Sequence, residues 1–74
     1  MSETSVLLAS EVKILKDRYP SQIVLRLVRA KTYATHMKVY PPGEEPYFIL
    51  GRYFFKLEEA QEDFYKRNRE LEGP

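Results

Sequence analysis

Seven cationic side chains, Lys13, Lys16, Arg18, Arg26, Arg29, Lys31 and Lys38, lie between residues 12 and 43 against one acid, Asp17. Residues 44–74 carry five basic and eight acidic side chains, so the net charge of +1 conceals a basic half and an acidic half. A segregated basic surface attracts anions through its local field even on a nearly neutral molecule. Cations on the outer face of a strand also serve simply to keep it soluble and unpaired. The acids come in pairs, Glu58/Glu59 and Glu62/Asp63, a pattern that could serve acid–base work or a divalent cation. At helical spacing, however, both pairs fall on the side expected to face solvent. His36 is the single histidine, and no Cys, Asp or Glu falls beside it in the inferred sheet to orient it as a base. Ser10 and Ser21 lack the glycine-flanked setting of a nucleophile, and the three glycines form no phosphate loop. These observations predict a protein that is not an enzyme and needs no metal or cofactor.

The elements that must position the cations follow from periodicity. From Ile23 to Ala30, Ile23, Leu25 and Leu27 alternate with Val24, Arg26 and Val28, which predicts a strand with an aliphatic core face. Lys31 and Thr32 leave room for a tight reversal into a second strand, Tyr33 to Tyr40. There Tyr33, Met37 and Val39 share one face, and Ala34, His36 and Lys38 the other. Pro41, Pro42, Gly43, Glu44, Glu45 and Pro46 break the pattern before an aromatic third strand, Tyr47 to Phe55. Both faces of that strand are apolar, so alternation cannot assign them. From Leu57 the period becomes helical: Leu57, Ala60, Phe64 and Leu71 form one stripe. Glu58 and Glu59 in the first turn, and Lys66, Arg67 and Arg69 in the last, suit the helix dipole, although no capping side chain precedes Leu57. Gly73 and Pro74 then stop the helix.

The N-terminal third is ambiguous. Leu8, Val12, Leu15 and Tyr19 fall on one helical face, which favours a helix over 6–18 that Pro20 ends. Val12, Lys13 and Ile14 alternate equally well as a strand. Ser10 as an N-cap would shorten the helix and leave Val6 to Leu8 extended. The predicted architecture is therefore α+β, one small domain over 1–74. It comprises a mobile lead at 1–5, a helix at 6–18, a three-stranded antiparallel meander over 23–55 and a helix at 57–71. Leu25, Leu27, Met37, Leu57, Ala60 and Phe64 are its expected core. Gly51 marks a place where the third strand must bend or let another backbone come close.

With both helices on one side, the sheet keeps an open face bearing Arg26, His36 and Lys38. The run Tyr33-Ala34-Thr35-His36-Met37-Lys38, the step Leu50-Gly51-Arg52-Tyr53, and Glu58-Glu59-Ala60 with Phe64 together resemble the Apetala-type DNA-binding domain and its relatives at the front of phage-type integrases. The likeness spans residues 22–66. It implies a three-stranded sheet over one helix, with the sheet reading the major groove. Arg26, Arg29, Tyr33, His36, Lys38 and Arg52 would then be the contacts by position. The chain departs from that family in having no Trp, in His36 at an acidic position, and in one extra residue between Gly51 and Glu58. The double-stranded-RNA-binding layout shares the element order, but Glu58 and Glu59 stand where its phosphate-gripping lysines belong and would repel the backbone.

Two functional classes remain. One is DNA or RNA binding by Arg26, Arg29, Lys31, Tyr33, His36, Lys38 and Arg52. The other is a protein-interaction or regulatory module in which aromatic side chains, Tyr47 and Tyr53 foremost, meet a partner or a second copy. Ten aromatic residues are many for 74 and suit both. The absence of cysteine, of a signal-like start and of any apolar run near 20 residues predicts a cytoplasmic protein with no membrane partner.

Overall fold

The computed structural model describes residues 5–14 and 16–72. Four antiparallel strands, β1 (Ser5–Ala9), β2 (Ser21–Arg29), β3 (Thr32–Val39) and β4 (Tyr47–Phe54), lie in sequence order, and one helix, α1 (Leu57–Glu72), covers one face. The class is α+β, as the periodicity predicts, but the sheet has four strands and the N-terminal helix is replaced by a strand. The expected helical face cannot form. Val6 and Ala9 pair with Arg26 and Val24, and Leu8 pairs with Leu25 and packs toward the core. After β1, Ser10 accepts the Ile23 amide on its Oγ at 2.9 Å, and its own N–H donates to the Ile23 carbonyl at 2.9 Å. Ser10 thus ties the chain to β2 rather than capping a helix. Lys13 bridges to Ser21, and Val12 and Ile14 are left exposed. Leu15 and the lead at 1–4 lie outside the described residues, as do Gly73 and Pro74. Ser5, assigned to the lead, belongs to β1.

The connections explain the meander. Arg29 pairs with Thr32, leaving Ala30 and Lys31 as a two-residue turn with Lys31 in the left-handed region at φ 58°. Between β3 and β4, the Glu44 amide donates to the Pro41 carbonyl, and Gly43 has φ 74°. Proline followed by a left-handed glycine is the type II turn signature.

The core lies between α1 and the inner face of β2 and β3. Ile23, Leu25, Ala60, Phe64 and Leu71 are buried there, with Leu8, Tyr33, Met37, Phe54 and Leu57 packed at the margin. Leu27, Met37 and Leu57 are thus half-buried rather than central. Under the helix stripe at 3.6-residue spacing sits a polar cluster. Thr35 Oγ1 donates to Asp63 Oδ2 at 2.5 Å, and Arg67 Nη1 donates to Thr35 Oγ1 at 3.2 Å. Arg67 Nη2 donates to the Leu50 carbonyl, while Arg52 Nη1 bonds Asp63 Oδ1 at 2.7 Å. Asp63 and Arg67, an i,i+4 ion pair at 3.8 Å, face the sheet rather than solvent. Burial pulls the Arg67 guanidinium below its ordinary pKa and Asp63 pushes it back up; an arginine retains its proton under either influence.

Candidate nucleic-acid interface

Register decides which side chains meet on the uncovered face. Across β2 and β3, Gln22 opposes Lys38, Val24 opposes His36 and Arg26 opposes Ala34, and one parity of each strand therefore projects away from α1. This brings Arg26, His36 and Lys38 together as their alternation predicts. β4 contributes Phe48, opposite Lys38, and Tyr53, opposite Ala34. Phe48 and Tyr53 differ in parity, yet they share this face because β4 spends two residues, Leu50 and Gly51, opposite the single residue His36. The bulge is where the backbone departs from ordinary strand geometry: Leu50 has φ 57°, a region that β-carbon sterics disfavour.

Gly51 is needed for a different reason. A β-carbon there would come within 2.5 Å of His36 Nε2 and 2.9 Å of its Cδ2. The missing side chain makes room for the imidazole, while the positive φ belongs to the preceding Leu50. His36 is then boxed in. Its ring lies 5.4 Å from the Phe48 ring and 5.9 Å, edge-on, from Tyr53. At 7% exposure it is a buried side chain, although it lies on the sheet's open face. Burial pulls its pKa below the ordinary histidine value, and the positive charges of Arg26 and Arg67 act in the same direction. The ring is therefore neutral at pH 7, and its Nδ1, like the Nε of Arg26, is buried without a hydrogen-bond partner.

The cations organise around Phe48. The Arg26 guanidinium lies over that ring at 4.4 Å from its centroid, and Lys38 Nζ lies 5.7 Å from it and 5.2 Å from the Tyr40 ring. Tyr40 in turn donates its hydroxyl to Gln22 Oε1, whose amide nitrogen donates to the Ser10 carbonyl at 2.6 Å. Phe48 and Tyr40 were not among the residues that charge and motif single out. The signal for Phe48 was its register opposite Lys38, which a strand apolar on both faces conceals.

Four of the seven candidate contacts do not join this group. Tyr33 and Arg52 pair on the helix-covered face, opposite Leu27 and Thr35, because their parity on β3 and β4 points them inward. Arg52 is engaged by Asp63 there. Arg29 and Lys31 are exposed at the β2–β3 turn, at the end of the sheet rather than on its face. Among the described residues, no group of three His, Cys, Asp or Glu side chains could hold a metal ion. None of the described helices is long and apolar enough to cross a membrane.

No protein-family model matches this chain, and neither a curated protein nor a solved structure resembles it at a significant level.

Proposed function

We propose that this chain binds nucleic acid through the open face of its sheet, single strands in preference to duplex, with Arg26, Lys38, Phe48 and Tyr53 making the contact. The carrying observation is the stack in which Arg26 lies over Phe48 with Lys38 on the same ring. Single-stranded nucleic acid is held by such surfaces because cations meet phosphate while aromatic rings and guanidinium planes extend the stack of unpaired bases. Tyr53, at 60% exposure, is the most accessible aromatic ring of this set, and its edge contact with His36 fixes its position. His36 acts as the wedge that spaces Phe48 and Tyr53, not as a ligand. The reading keeps the sheet-borne site that the resemblance to the Apetala-type domain implies, but departs from it in taking unpaired bases instead of the major groove and in having β1 as an added edge strand. The inward-facing Tyr33 and Arg52 fall outside this reading.

The test is fluorescence anisotropy of the full chain with labelled oligothymidylate, oligouridylate and a mixed duplex, each over a salt series. Binding should be tightest to the single strands. Replacing Arg26 and Lys38 together by Gln should flatten the log–log salt slope by about 1.4, since each phosphate contact on a single strand contributes roughly 0.7. Tyr53→Ala should weaken binding by about 5- to 100-fold with little change in the slope, the expected size of one lost base stack. An unchanged slope in the Gln double variant, or no binding at low salt, overturns the reading.

A further inference from the structure

β4 is one of the two edge strands of the sheet, and all but the last of its eight residues are exposed. Among the described residues nothing pairs with its outer backbone edge; the Leu50 carbonyl is taken inward by Arg67. A long apolar edge of this kind is a template for another strand. It carries one charge, Arg52, which Asp63 already engages. We propose that β4 pairs antiparallel with β4 of a second copy, closing an isologous dimer with a continuous eight-stranded sheet. This inference does not rest on the nucleic-acid reading.

The charges at the two ends of the strand select the occupant and the direction. Glu44 and Glu45 precede β4, and Lys56 follows it. In a parallel pairing, like charges would meet at both ends. In an antiparallel pairing, the acidic end of each strand lies beside the basic end of the other, and the two contacts are related by symmetry. Glu45 and Lys56 take part in neither ion pair of the described residues, Arg52–Asp63 and Arg67–Asp63, and are exposed.

The bulge fixes the register. Opposed residues of an antiparallel ladder share a face. Phe48 and Tyr53 are on the open face, whereas Tyr47, Ile49, Arg52 and Phe54 are on the helix side. Because Leu50 and Gly51 shift the alternation by one, Phe48 can oppose Tyr53 of the second copy while Ile49 opposes Arg52 and Tyr47 opposes Phe54. The same register sets Glu45 beside Lys56. The two-fold axis then passes between Leu50 and Gly51, perpendicular to the sheet, with ladder segments at 47–49 and 52–54 on either side. An axis in that direction keeps the two open faces on the same side, so the Arg26–Phe48 stacks of both copies form one continuous surface.

Sedimentation equilibrium of the full chain, without nucleic acid, from about 1 to 100 µM should show a monomer–dimer equilibrium, a range in which edge pairing of modest affinity is visible. Glu45→Lys should weaken dimerisation by about tenfold, since it replaces two exposed attractions by two repulsions. Lys56→Glu should do the same. The double variant E45K/K56E should restore the wild-type constant, because the pairing is recreated with its signs reversed. Amide exchange over 47–49 and 52–54 should slow as wild-type concentration rises, and circular dichroism checks that each variant remains folded. A chain that stays monomeric throughout, oligomers that grow beyond two, or a double variant no better than the singles overturns the proposal.

Discussion

The two faces of the sheet use the same strands to opposite ends. On the helix side, β2 and β3 present aliphatic side chains to Ala60, Phe64 and Leu71, and Thr35, Asp63 and Arg67 among them are bonded to one another, although Asn68 Oδ1 on α1 is buried without a partner. On the open side, Arg26 and Lys38 lie on aromatic rings, and the buried polar atoms, Arg26 Nε and His36 Nδ1, have no partner. A buried polar group with its hydrogen bonds made contributes to a unique packing, whereas one without them costs free energy. The helix side is built for stability. The open side carries that cost at two atoms within its own ring packing.

Removing the helix side's apolar anchor should break that contrast most severely. Phe64 is buried against Ile23, Leu25 and Ala60, and Phe64→Ala should destabilise the fold by about 3–5 kcal/mol. That is a large part of the total stability of a small domain. Urea unfolding monitored by circular dichroism measures it, and a loss below about 1 kcal/mol would contradict Phe64's place in the core.

Arg67 tests the polar half of the same face. Arg67→Met leaves Thr35 and the Leu50 carbonyl each without a donor and Asp63 with one cation fewer. Breaking a buried pair from one side costs about 3–5 kcal/mol, reduced here because Arg52 still engages Asp63 from a half-exposed position. A loss near 2–3 kcal/mol is the expected outcome in the same urea series. A variant as stable as wild type would show that the cluster is only tolerated. Since Arg67 holds the carbonyl at the bulge, amide exchange at Gly51 and Arg52 should also quicken.

How much of this was legible in the sequence varies with the element. The alternation in Ile23–Val28 and Ala34–Lys38 placed Arg26, His36 and Lys38 on one face, because period two with an aliphatic partner face leaves little freedom. The stripe Leu57, Ala60, Phe64, Leu71 placed the helix for the same reason. Residues 6–18 misled because apolar side chains at 8, 12, 15 and 19 satisfy helical spacing, while the pairing with β2 that overrides it is a tertiary fact. β4 could not be assigned by any period. Its faces are both apolar, and the bulge at Leu50 and Gly51 changes parity midway, so Arg52 turns inward while Phe48 and Tyr53 turn outward. The resemblance groups Arg52 with the basic face by position, and helical spacing alone places Asp63, the acid that engages it, in solvent.

Gly51→Ala sharpens the comparison from the open side. The backbone at Gly51 is not in the left-handed region, so the cost arises from the new β-carbon meeting the His36 imidazole. Displacing a packed ring costs about 1–3 kcal/mol. The double variant with His36→Ala should recover most of that loss, whereas the same pair of changes would simply add if glycine served only to bend the strand. Thermal unfolding of the four proteins in the cycle distinguishes the two cases.

The smallest effect concerns pH and belongs to His36 alone. Its folded pKa lies below its unfolded value near 6.5, so between the two the unfolded chain binds the extra proton and the native state does not. Stability is therefore complete above about pH 6.5 and declines as the pH falls through the folded pKa, the opposite of a histidine stabilised by an acidic partner. Melting temperatures should drop as the pH is lowered from neutrality toward about 5.5. His36→Phe should flatten the curve over that interval, and it also keeps a ring between Phe48 and Tyr53. On the helix side the Arg67 guanidinium keeps its proton over this interval, so Arg67→Met should lower the whole curve without changing its slope. If wild type and His36→Phe show the same slope, the imidazole is not desolvated as its contacts with Phe48, Tyr53 and Gly51 require.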